Sequence, residues 1–185
     1  GMVVRDLDEA LRYWTEIMEV GPWILIEESL GDRHMVHRGE VTPVQMSLAL
    51  TYIGETQFEL IAQSNTAPSP YREFLEQGRQ GVHHVAFYPD DYAEACKELE
   101  RRGFDEVTSI VTATGEKSVS YFEGSPLIGA MVELVPLTDA RRAYYGAMEA
   151  LARSWDGSLP VRRFPTRADF LASGDVAGLT AAPQR

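Results

Sequence analysis

The stretch Asp6-Leu7-Asp8-Glu9-Ala10 returns in altered form, 85 positions further along the chain, as Asp91-Tyr92-Ala93-Glu94-Ala95. In both stretches an aspartate precedes a glutamate by three residues, an arrangement typical of a capped helix start. Apolar residues then recur at helical spacing, which predicts one helix over about 7–19 and a second that ends at Gly103. The beginning of one structural unit therefore occurs twice.

Strand-like runs surround both predicted helices. They are rich in β-branched and aromatic residues and are bounded by turn residues such as Gly54-Glu55. The predicted strands are 2–4, 23–26, about 44–53, 56–62, 82–88, about 104–113, 118–123 and 128–135. Each half thus consists of a strand, a helix and three strands, and this internal repeat predicts an α+β fold of two tandem βαβββ modules.

The repeat also suggests the domain organisation. Module one covers about residues 1–63 and module two about 82–137, so the repeated domain is 1–137. Between the modules, Ser69-Pro70 begins a linker helix within 69–81. Residues 138–185 are predicted to form a C-terminal helix and a surface tail rich in Gly, Pro, Arg and Ser.

Composition narrows the class of function. A net charge of −11 argues against nucleic acid and anionic membrane surfaces as partners. One cysteine precludes an internal disulfide and fits a reducing compartment. No apolar window approaches the roughly 18 residues of a membrane span, and no signal peptide precedes Arg5. We therefore expect a cytoplasmic protein that acts on a small molecule.

Three polar residues interrupt apolar strand runs: Glu59, His84 and Glu133. Side chains alternate between the faces of a strand, so each of the three projects away from its apolar neighbours. Buried charges are costly unless they are paired or bind a cation. Two carboxylates and an imidazole suit Co, Mn, Ni, Zn, Fe or Mg, and they leave positions open for substrate oxygens.

Structural interpretations compete with these assignments. Glu59 could be an edge carboxylate facing water and His84 a hydrogen-bonded core histidine. His83 is predicted to be structural, because adjacent strand residues face opposite ways. We predict that His34 and His37 lie at the surface and that Trp14 and Trp23 lie in the core. Tyr88 and Tyr121 are candidates for a cavity wall. Arg162, Arg163 and Arg167 are predicted to belong to a solvated tail, with contact to an anionic substrate as the alternative.

The motifs Val4-Arg5-Asp6-Leu7-Asp8-Glu9-Ala10, Gly81-Val82-His83-His84-Val85-Ala86, Glu59-Leu60-Ile61 and Glu133-Leu134-Val135 carry a family resemblance. Together with the repeat they resemble the vicinal-oxygen-chelate (glyoxalase/bleomycin resistance/dioxygenase) superfamily over about residues 1–137. Within it, the nearest likeness is to methylmalonyl-CoA epimerase and the lactoylglutathione lyases.

The resemblance implies a curved, barrel-like mixed sheet around a metal and substrate cavity. It also implies that Glu59, His84 and Glu133 are metal ligands, and that Glu133 takes part in proton transfer. The first-module counterpart of His84 would fall at position −1, ahead of Gly1.

Three functions remain open at this stage. The first is a metal-dependent isomerase or lyase that acts beside a carbonyl through a metal-stabilised enolate, on a substrate such as a CoA or glutathione thioester or adduct. The second is an Fe(II) extradiol-type dioxygenase, which favours two histidines and one carboxylate. The third is a metal-free protein that binds a drug or metabolite. Family habit also implies a homodimer.

Overall fold

The computed structural model describes residues 1–124 and 126–181. Its strands in chain order are β1 Met2–Val3, β2 Trp23–Ile26, β3 His34–His37, β4 Glu40–Thr42, β5 Met46–Ile53, β6 Thr56–Gln63, β7 Gly81–Val82, β8 His84–Phe87, β9 Asp105–Val111, β10 Lys117–Glu123, β11 Met131–Leu134 and β12 Val161–Phe164. Its helices are α1 Leu7–Arg12, which continues as a π-helical segment Tyr13–Ile17, then α2 Pro70–Glu76, α3 Tyr92–Arg101, α4 Asp139–Arg153, α5 Arg167–Leu171 and α6 Gly174–Ala181.

The helix starts follow from their capping residues. Asp6 accepts a hydrogen bond from the amide of Glu9, and Asp91 accepts one from the amide of Glu94. Ser69 caps α2 in the same way, with Pro70 at the first helical position. All three caps were predicted from sequence and are confirmed.

The chain divides into two compact units. Unit 1 comprises Gly1–Arg5, Leu30–Gln45 and Gln63–Leu137, and unit 2 comprises Asp6–Ser29, Met46–Ala62 and Thr138–Arg185. These two units do not coincide with the two sequence modules, because each unit combines segments from both halves of the chain or from the C-terminal segment.

Unit 1 contains an open six-stranded sheet in the order β4-β3-β9-β10-β11-β8. Strands β8 and β11 run parallel, and the other neighbours are antiparallel. Helices cover opposite faces, because Tyr121 and Ser120 are adjacent on β10 and point in opposite directions. Tyr121 bonds to Tyr71 of α2, whereas Ser120 bonds to Tyr92 of α3. Separately within this unit, β1 pairs antiparallel with β7.

Unit 2 contains the neighbouring strands β12-β2-β5-β6. Every residue of β2 is at most 1% exposed, so both faces of this sheet are covered. On one face Trp14 packs its ring against Trp23 and Phe58, at centroid distances of 5.8 and 5.6 Å. On the other lies α4, whose buried residues are Tyr144, Met148 and Leu151.

The predicted α+β class and the repeated strand pattern are confirmed. The neighbours β2-β5-β6 in unit 2 correspond to β9-β10-β11 in unit 1. The unit 1 sheet ends at β4 on one side and at β8 on the other, and over residues 1–124 and 126–181 it does not close on itself. Between β2 and β5 the first half carries the additional hairpin β3–β4, whose strand β3 pairs with β9.

Three local expectations were wrong or incomplete. The predicted strand 82–88 is two short strands separated at His83. His37 was assigned to the surface but is only 4% exposed, because β3 joins a sheet and α2 covers it. The segment after α4 was predicted to be a surface tail, yet it forms β12, α5 and α6, with Phe170 fully buried.

The arginines of this segment are also engaged within unit 2. Arg162 forms an ion pair with Asp175 and Arg163 with Asp8. The guanidinium of Arg167 lies 5.3 Å from the ring centroid of Tyr144.

Across the part of the chain that the structure describes, no helix combines the length and apolar character needed to cross a bilayer.

Candidate functional site

His84 and Glu133 lie together in unit 1 on the parallel neighbours β8 and β11. Their registers place Met131 beside His84 and Glu133 beside Ala86, so both polar side chains project from the same face. His84 Nε2 is 3.3 Å from Glu133 Oε2, and the two side chains are only 1% and 10% exposed. The structure thus brings together two of the three predicted ligands as a buried pair.

A tyrosine supports the carboxylate. Tyr121 is directly across from Glu133 on β10 and hydrogen-bonds to it. Burial alone would raise the pKa of Glu133, but the charge of His84 and the hydrogen bonds from His84 and Tyr121 outweigh it and lower that pKa. The hydroxyls of Tyr121 and Tyr71 are 3.0 Å apart. Glu133 is therefore held as a carboxylate beneath α2.

His83 contacts the imidazole of this pair. Its Nδ1 is 3.1 Å from Nδ1 of His84, although strand alternation predicted that the two rings would diverge. The break between β7 and β8 removes that alternation and allows both rings to turn toward each other. Burial and the neighbouring His84 lower the pKa of His83 to about 3, so the His83 imidazole is neutral at neutral pH.

Glu59 lies on β6 in unit 2 and is partly buried. Alternation places it on the same face as Gln57, whose amide donates to the hydroxyl of Tyr52 at 3.0 Å. Burial, followed by the proximity of Tyr145 and Glu149 on α4, raises the pKa of Tyr52 to about 12. The Glu59 face of this sheet is thus the face that α4 covers.

The three predicted ligands differ in their surroundings. Among residues 1–124 and 126–181, no three His, Cys, Asp or Glu side chains stand together in an arrangement suited to a metal ion. The pair of His84 and Glu133 is assembled within unit 1, whereas Glu59 belongs to unit 2. The grouping of Glu59 with this pair stays a prediction.

Unit 1 contains a cavity of about 320 Å³ that is lined by neighbours of His84 rather than by His84 or Glu133. Its wall includes His83, which contacts His84, and Met131, which is paired with His84 across the strands. The remaining wall residues come from α2, the segment after it and the connection between β10 and β11: Pro70, Glu73, Phe74, Gln77, Arg79, Glu123, Gly124, Pro126, Gly129 and Ala130. The wall is partly apolar and carries both signs of charge.

One rim of this cavity is tied to the sheet by charges. Glu73 Oε1 accepts from Arg38 Nε at 2.9 Å and lies 3.1 Å from His37 Nε2, and His37 Nδ1 is 2.7 Å from the hydroxyl of Thr108. The hydrogen bond from Arg38 is the largest influence that lowers the pKa of Glu73, which falls to about 2. These contacts hold α2 against the face that bears the site.

The arrangement suits proton transfer and metal ligation. The carboxylate and the imidazole are in direct contact through one atom each. Glu133 has a further hydrogen bond from Tyr121, and His84 has one with His83. Metal-binding histidines and carboxylates typically have such supporting partners. In donor types and orientation the pair fits two positions of a divalent metal site.

The fold and the buried pair define the chain as a two-module α+β protein with a polar site on a mixed sheet. Residues 1–122 match the model of the glyoxalase/bleomycin resistance protein/dioxygenase superfamily. The chain belongs to this superfamily, as the repeat indicated. The match ends before Glu133.

Solved structures with the same fold agree with this assignment. A hypothetical protein from Bacillus halodurans C-125 has a TM-score of 0.55 at 18% identity and covers 75% of this chain and 91% of its own. Methylmalonyl-CoA epimerase from Mycobacterium tuberculosis has a TM-score of 0.50 at 19% identity. The match covers 76% of this chain and 87% of the epimerase chain. A methylmalonyl-CoA epimerase in complex with methylmalonyl-CoA and NH4+ has a TM-score of 0.50 at 16% identity. The match covers 74% of this chain and 90% of that epimerase chain. No curated protein sequence matches the chain.

Sequence reasoning missed or left open three members of the site. His83 was assigned a structural role, Tyr121 was left between two roles, and Tyr71 received none. The adjacent pair His83-His84 before a short strand was the available signal for the first. Nothing local to Tyr71 indicates its contact with Tyr121, because 50 residues separate them in sequence.

Proposed function

We propose that this protein is a metal-dependent isomerase or lyase that acts on a carbon beside a carbonyl group. One observation carries the proposal: the imidazole of His84 and the carboxylate of Glu133 are buried 3.3 Å apart on the parallel neighbouring strands β8 and β11. Burying both groups is costly unless they serve each other or a shared ion. His84 and Glu133 are the two proposed metal ligands of unit 1, and Glu59 is the proposed third.

A divalent ion held by these residues would supply Lewis-acid stabilisation of the enolate oxygen. The chain's own contribution is orientation and proton transfer. Tyr121 hydrogen-bonds to Glu133 and favours its charged form, so the carboxylate is ready to accept a proton from the substrate carbon. The covering of this face by α2 limits the access of water to the pair.

The substrate class follows from the cavity and the relatives. A cavity of about 320 Å³ beside His83 would admit a small acyl group and leave a longer carrier outside. One structural relative is described as bound to methylmalonyl-CoA. We therefore take short, branched acyl thioesters of CoA as the first substrates to test, with glutathione adducts next. A homodimer is proposed as well, and sedimentation equilibrium would test it.

Metal analysis of the full-length protein tests the proposal most directly. Freshly purified protein, and protein depleted of metal and reloaded with Co²⁺ or Mn²⁺, would be compared by elemental analysis and by exchange of the substrate α-proton with deuterium. We expect about one ion per chain and metal-dependent exchange. Protein that binds no divalent ion under these conditions would refute the metal-dependent reaction.

A metal-free ligand-binding protein is the second candidate. The observation that favours it is the direct contact between His84 and Glu133, which balances both charges without a metal ion. The two candidate functions predict different binding by the wild type and by Glu133→Gln. Calorimetric titration of both proteins with Co²⁺ and with an acyl-CoA measures that binding. Loss of Co²⁺ binding supports the enzyme, whereas acyl-CoA binding by a wild-type protein that binds no Co²⁺ supports the second candidate.

A further inference from the structure

The end of α2 turns an arginine onto the wall of the unit 1 cavity. Gly78 follows the helix with a φ of 75°, and its amide donates to the carbonyl of Leu75 at 3.1 Å. The amide of Arg79 donates to the carbonyl of Phe74 at 3.3 Å. Together these bonds form the Schellman motif that commonly ends a helix. The backbone of Arg79 is therefore fixed by the end of α2.

The side chain of Arg79 departs from the usual chemistry of this motif. The residue at its position commonly makes an apolar contact with the residue at the position of Phe74. Here a guanidinium makes that contact, 4.3 Å from the centroid of the Phe74 ring, and its Nη2 donates to the carbonyl of Gly129 at 3.2 Å. Neither partner carries a charge, so the two contacts orient the guanidinium without balancing it.

The carboxylates on the cavity wall have a different cation. Glu73 Oε1 and Oε2 accept from Nε and Nη2 of Arg38 at 2.9 and 2.8 Å, and Glu123 Oε1 is 3.4 Å from the same Nη2. Among the described residues that line the cavity, Arg79 is the only arginine or lysine. An anionic group that enters the cavity would be attracted to Arg79, whereas a second negative charge on it would be repelled by Glu123.

The rest of the wall favours a small organic body. Phe74, Pro126, Ala130 and Met131 contribute apolar surface. The volume of about 320 Å³ lies near the lower end of the range for ligand pockets, about 300–1,000 Å³. A planar guanidinium donates two parallel hydrogen bonds to a carboxylate, which carries a single negative charge.

We propose that the unit 1 cavity binds small organic carboxylates and that Arg79 is the residue that recognises their charge. The inference rests on the proposed function only in taking this cavity as the place of the substrate, because recognition of a carboxylate requires neither the metal nor the reaction. Arg79 also lies at the C-terminal end of α2, where a cation is favoured by the helix dipole. A residue with that role alone would stabilise α2 but would not distinguish ligands by charge.

Benzoate and benzamide are suitable probes, because they have nearly the same shape and differ in charge. The ¹⁵N-labelled full chain, treated with a chelator and desalted so that no metal ion attracts the carboxylate, would be titrated with each probe near neutral pH. Two-dimensional ¹H–¹⁵N spectra follow the side-chain Nε–H of Arg79 and the backbone amides of 78–81 and 129–131. Inorganic phosphate is titrated in parallel as an anion of higher charge.

Three variants accompany the wild type. Arg79→Gln removes the charge from the cavity, and Glu123→Gln removes a carboxylate that would repel the ligand. Arg72→Gln is the matched control, because it makes the same change on the same helix at a residue that is paired with Glu76 and is outside the cavity wall. Near-UV circular dichroism checks that each variant is folded.

The wild type should bind benzoate at least about 10-fold more tightly than benzamide, with a shift of the Arg79 Nε–H signal. Arg79→Gln should bind the two probes alike, and Arg72→Gln should behave as the wild type. Glu123→Gln should bind benzoate about 2- to 5-fold more tightly, as expected for the loss of a partly exposed like charge.

Several results would overturn the inference. Equal affinity of the wild type for benzoate and benzamide, or no shift of Arg79 with benzoate, does so even if Arg79→Gln fails to fold. A folded Arg79→Gln protein that still prefers benzoate would exclude Arg79 as the recognising residue. Tighter binding of phosphate than of benzoate would contradict the assignment of a carboxylate ligand.

These titrations and the metal analysis separate this inference from the proposed function. If benzoate binds through Arg79 but the protein binds no divalent ion, the metal-dependent reaction fails and the carboxylate site stands. If α-proton exchange depends on metal while benzoate and benzamide bind alike, the carboxylate site fails and the proposed function is unaffected.

Discussion

Two helices, α2 in unit 1 and α4 in unit 2, each cover the sheet face that bears a predicted ligand, but they do so by different means. α4 buries Tyr144, Met148 and Leu151 and brings Tyr145 and Glu149 near Tyr52. α2 also buries apolar residues, yet it adds the hydroxyl contact of Tyr71 and the carboxylate contacts of Glu73. The face under α2 contains the His84–Glu133 pair, and the face under α4 contains Glu59.

This difference shows how one repeated pattern acquires two environments. The strand orders in the two halves correspond, so the backbone alone does not distinguish them. The side chains of the covering helix do: Tyr71 of α2 contacts Tyr121, which hydrogen-bonds to Glu133, whereas Tyr145 and Glu149 of α4 lie near Tyr52. The chemistry is therefore expected to depend most on unit 1, and stability to depend strongly on α4.

The largest effect is expected from Glu133→Gln. It removes the proposed base and a proposed ligand while keeping the size of the side chain, so kcat/KM for α-proton exchange should fall about 10²- to 10⁴-fold. Glu116→Gln, in the exposed turn between β9 and β10, is the matched control and should leave the rate unchanged. Full exchange activity in Glu133→Gln would contradict the proposed role of Glu133, and with it the role of unit 1, in the reaction.

Met148→Ala tests the apolar cover of unit 2. Met148 is 1% exposed, so truncation should lower the free energy of unfolding by about 2–5 kcal/mol, measured by urea denaturation. Met18→Ala, at a methionine that is 46% exposed, should change it by less than about 0.5 kcal/mol. Equal effects of the two substitutions would contradict the assigned packing role of α4.

Glu59→Gln sharpens the comparison at the site itself. If Glu59 is the third ligand, its loss should weaken Co²⁺ binding by about 10-fold or more, as loss of even a supporting partner does. Glu55→Gln, in the exposed turn before β6, should bind Co²⁺ like the wild type. Unchanged affinity in Glu59→Gln, with affinity lost in Glu133→Gln, would confine any metal site to unit 1.

The smallest effect is a pH dependence in the cover of unit 1. The pKa of Glu73 is lowered to about 2 in the folded protein, chiefly by the hydrogen bond from Arg38, against 4.5 ordinarily. A lowered folded-state pKa stabilises above about pH 4.5, and that stabilisation disappears as the pH falls toward 2. Urea denaturation of the wild type and of Glu73→Gln gives the free energy of unfolding of each protein. The difference between the two free energies should be constant above pH 5 and shrink below it.

The control for this pH effect is Glu76→Gln, which removes an exposed carboxylate paired with Arg72 on the outer side of the same helix. It should leave the pH profile close to that of the wild type, because exposed pairs contribute little. A Glu73→Gln profile parallel to the wild type down to pH 2 would show that this ionic contact does not hold α2.

Local patterns predicted what depends on neighbours in the chain. The caps Asp6, Asp91 and Ser69 gave three helix starts, because a capping side chain bonds to an amide three residues away. Alternation predicted that Glu133 and His84 each project away from their apolar neighbours, and the parallel pairing of β8 and β11 puts them on one face. Alternation failed at His83, where the strand is broken, and composition failed at His37, whose burial depends on a hairpin that joins another module's strand.

The repeat, the fold class and two members of a buried polar pair were determined by the sequence alone, since side-chain period and capping are local properties. The rest was decided by tertiary structure. Contacts such as Tyr71 with Tyr121, or His83 with Pro70, form between segments that approach only when helices pack on sheets. Whether a buried polar side chain finds a partner is decided by those contacts, because groups far apart in sequence come within hydrogen-bond distance only in the packed fold.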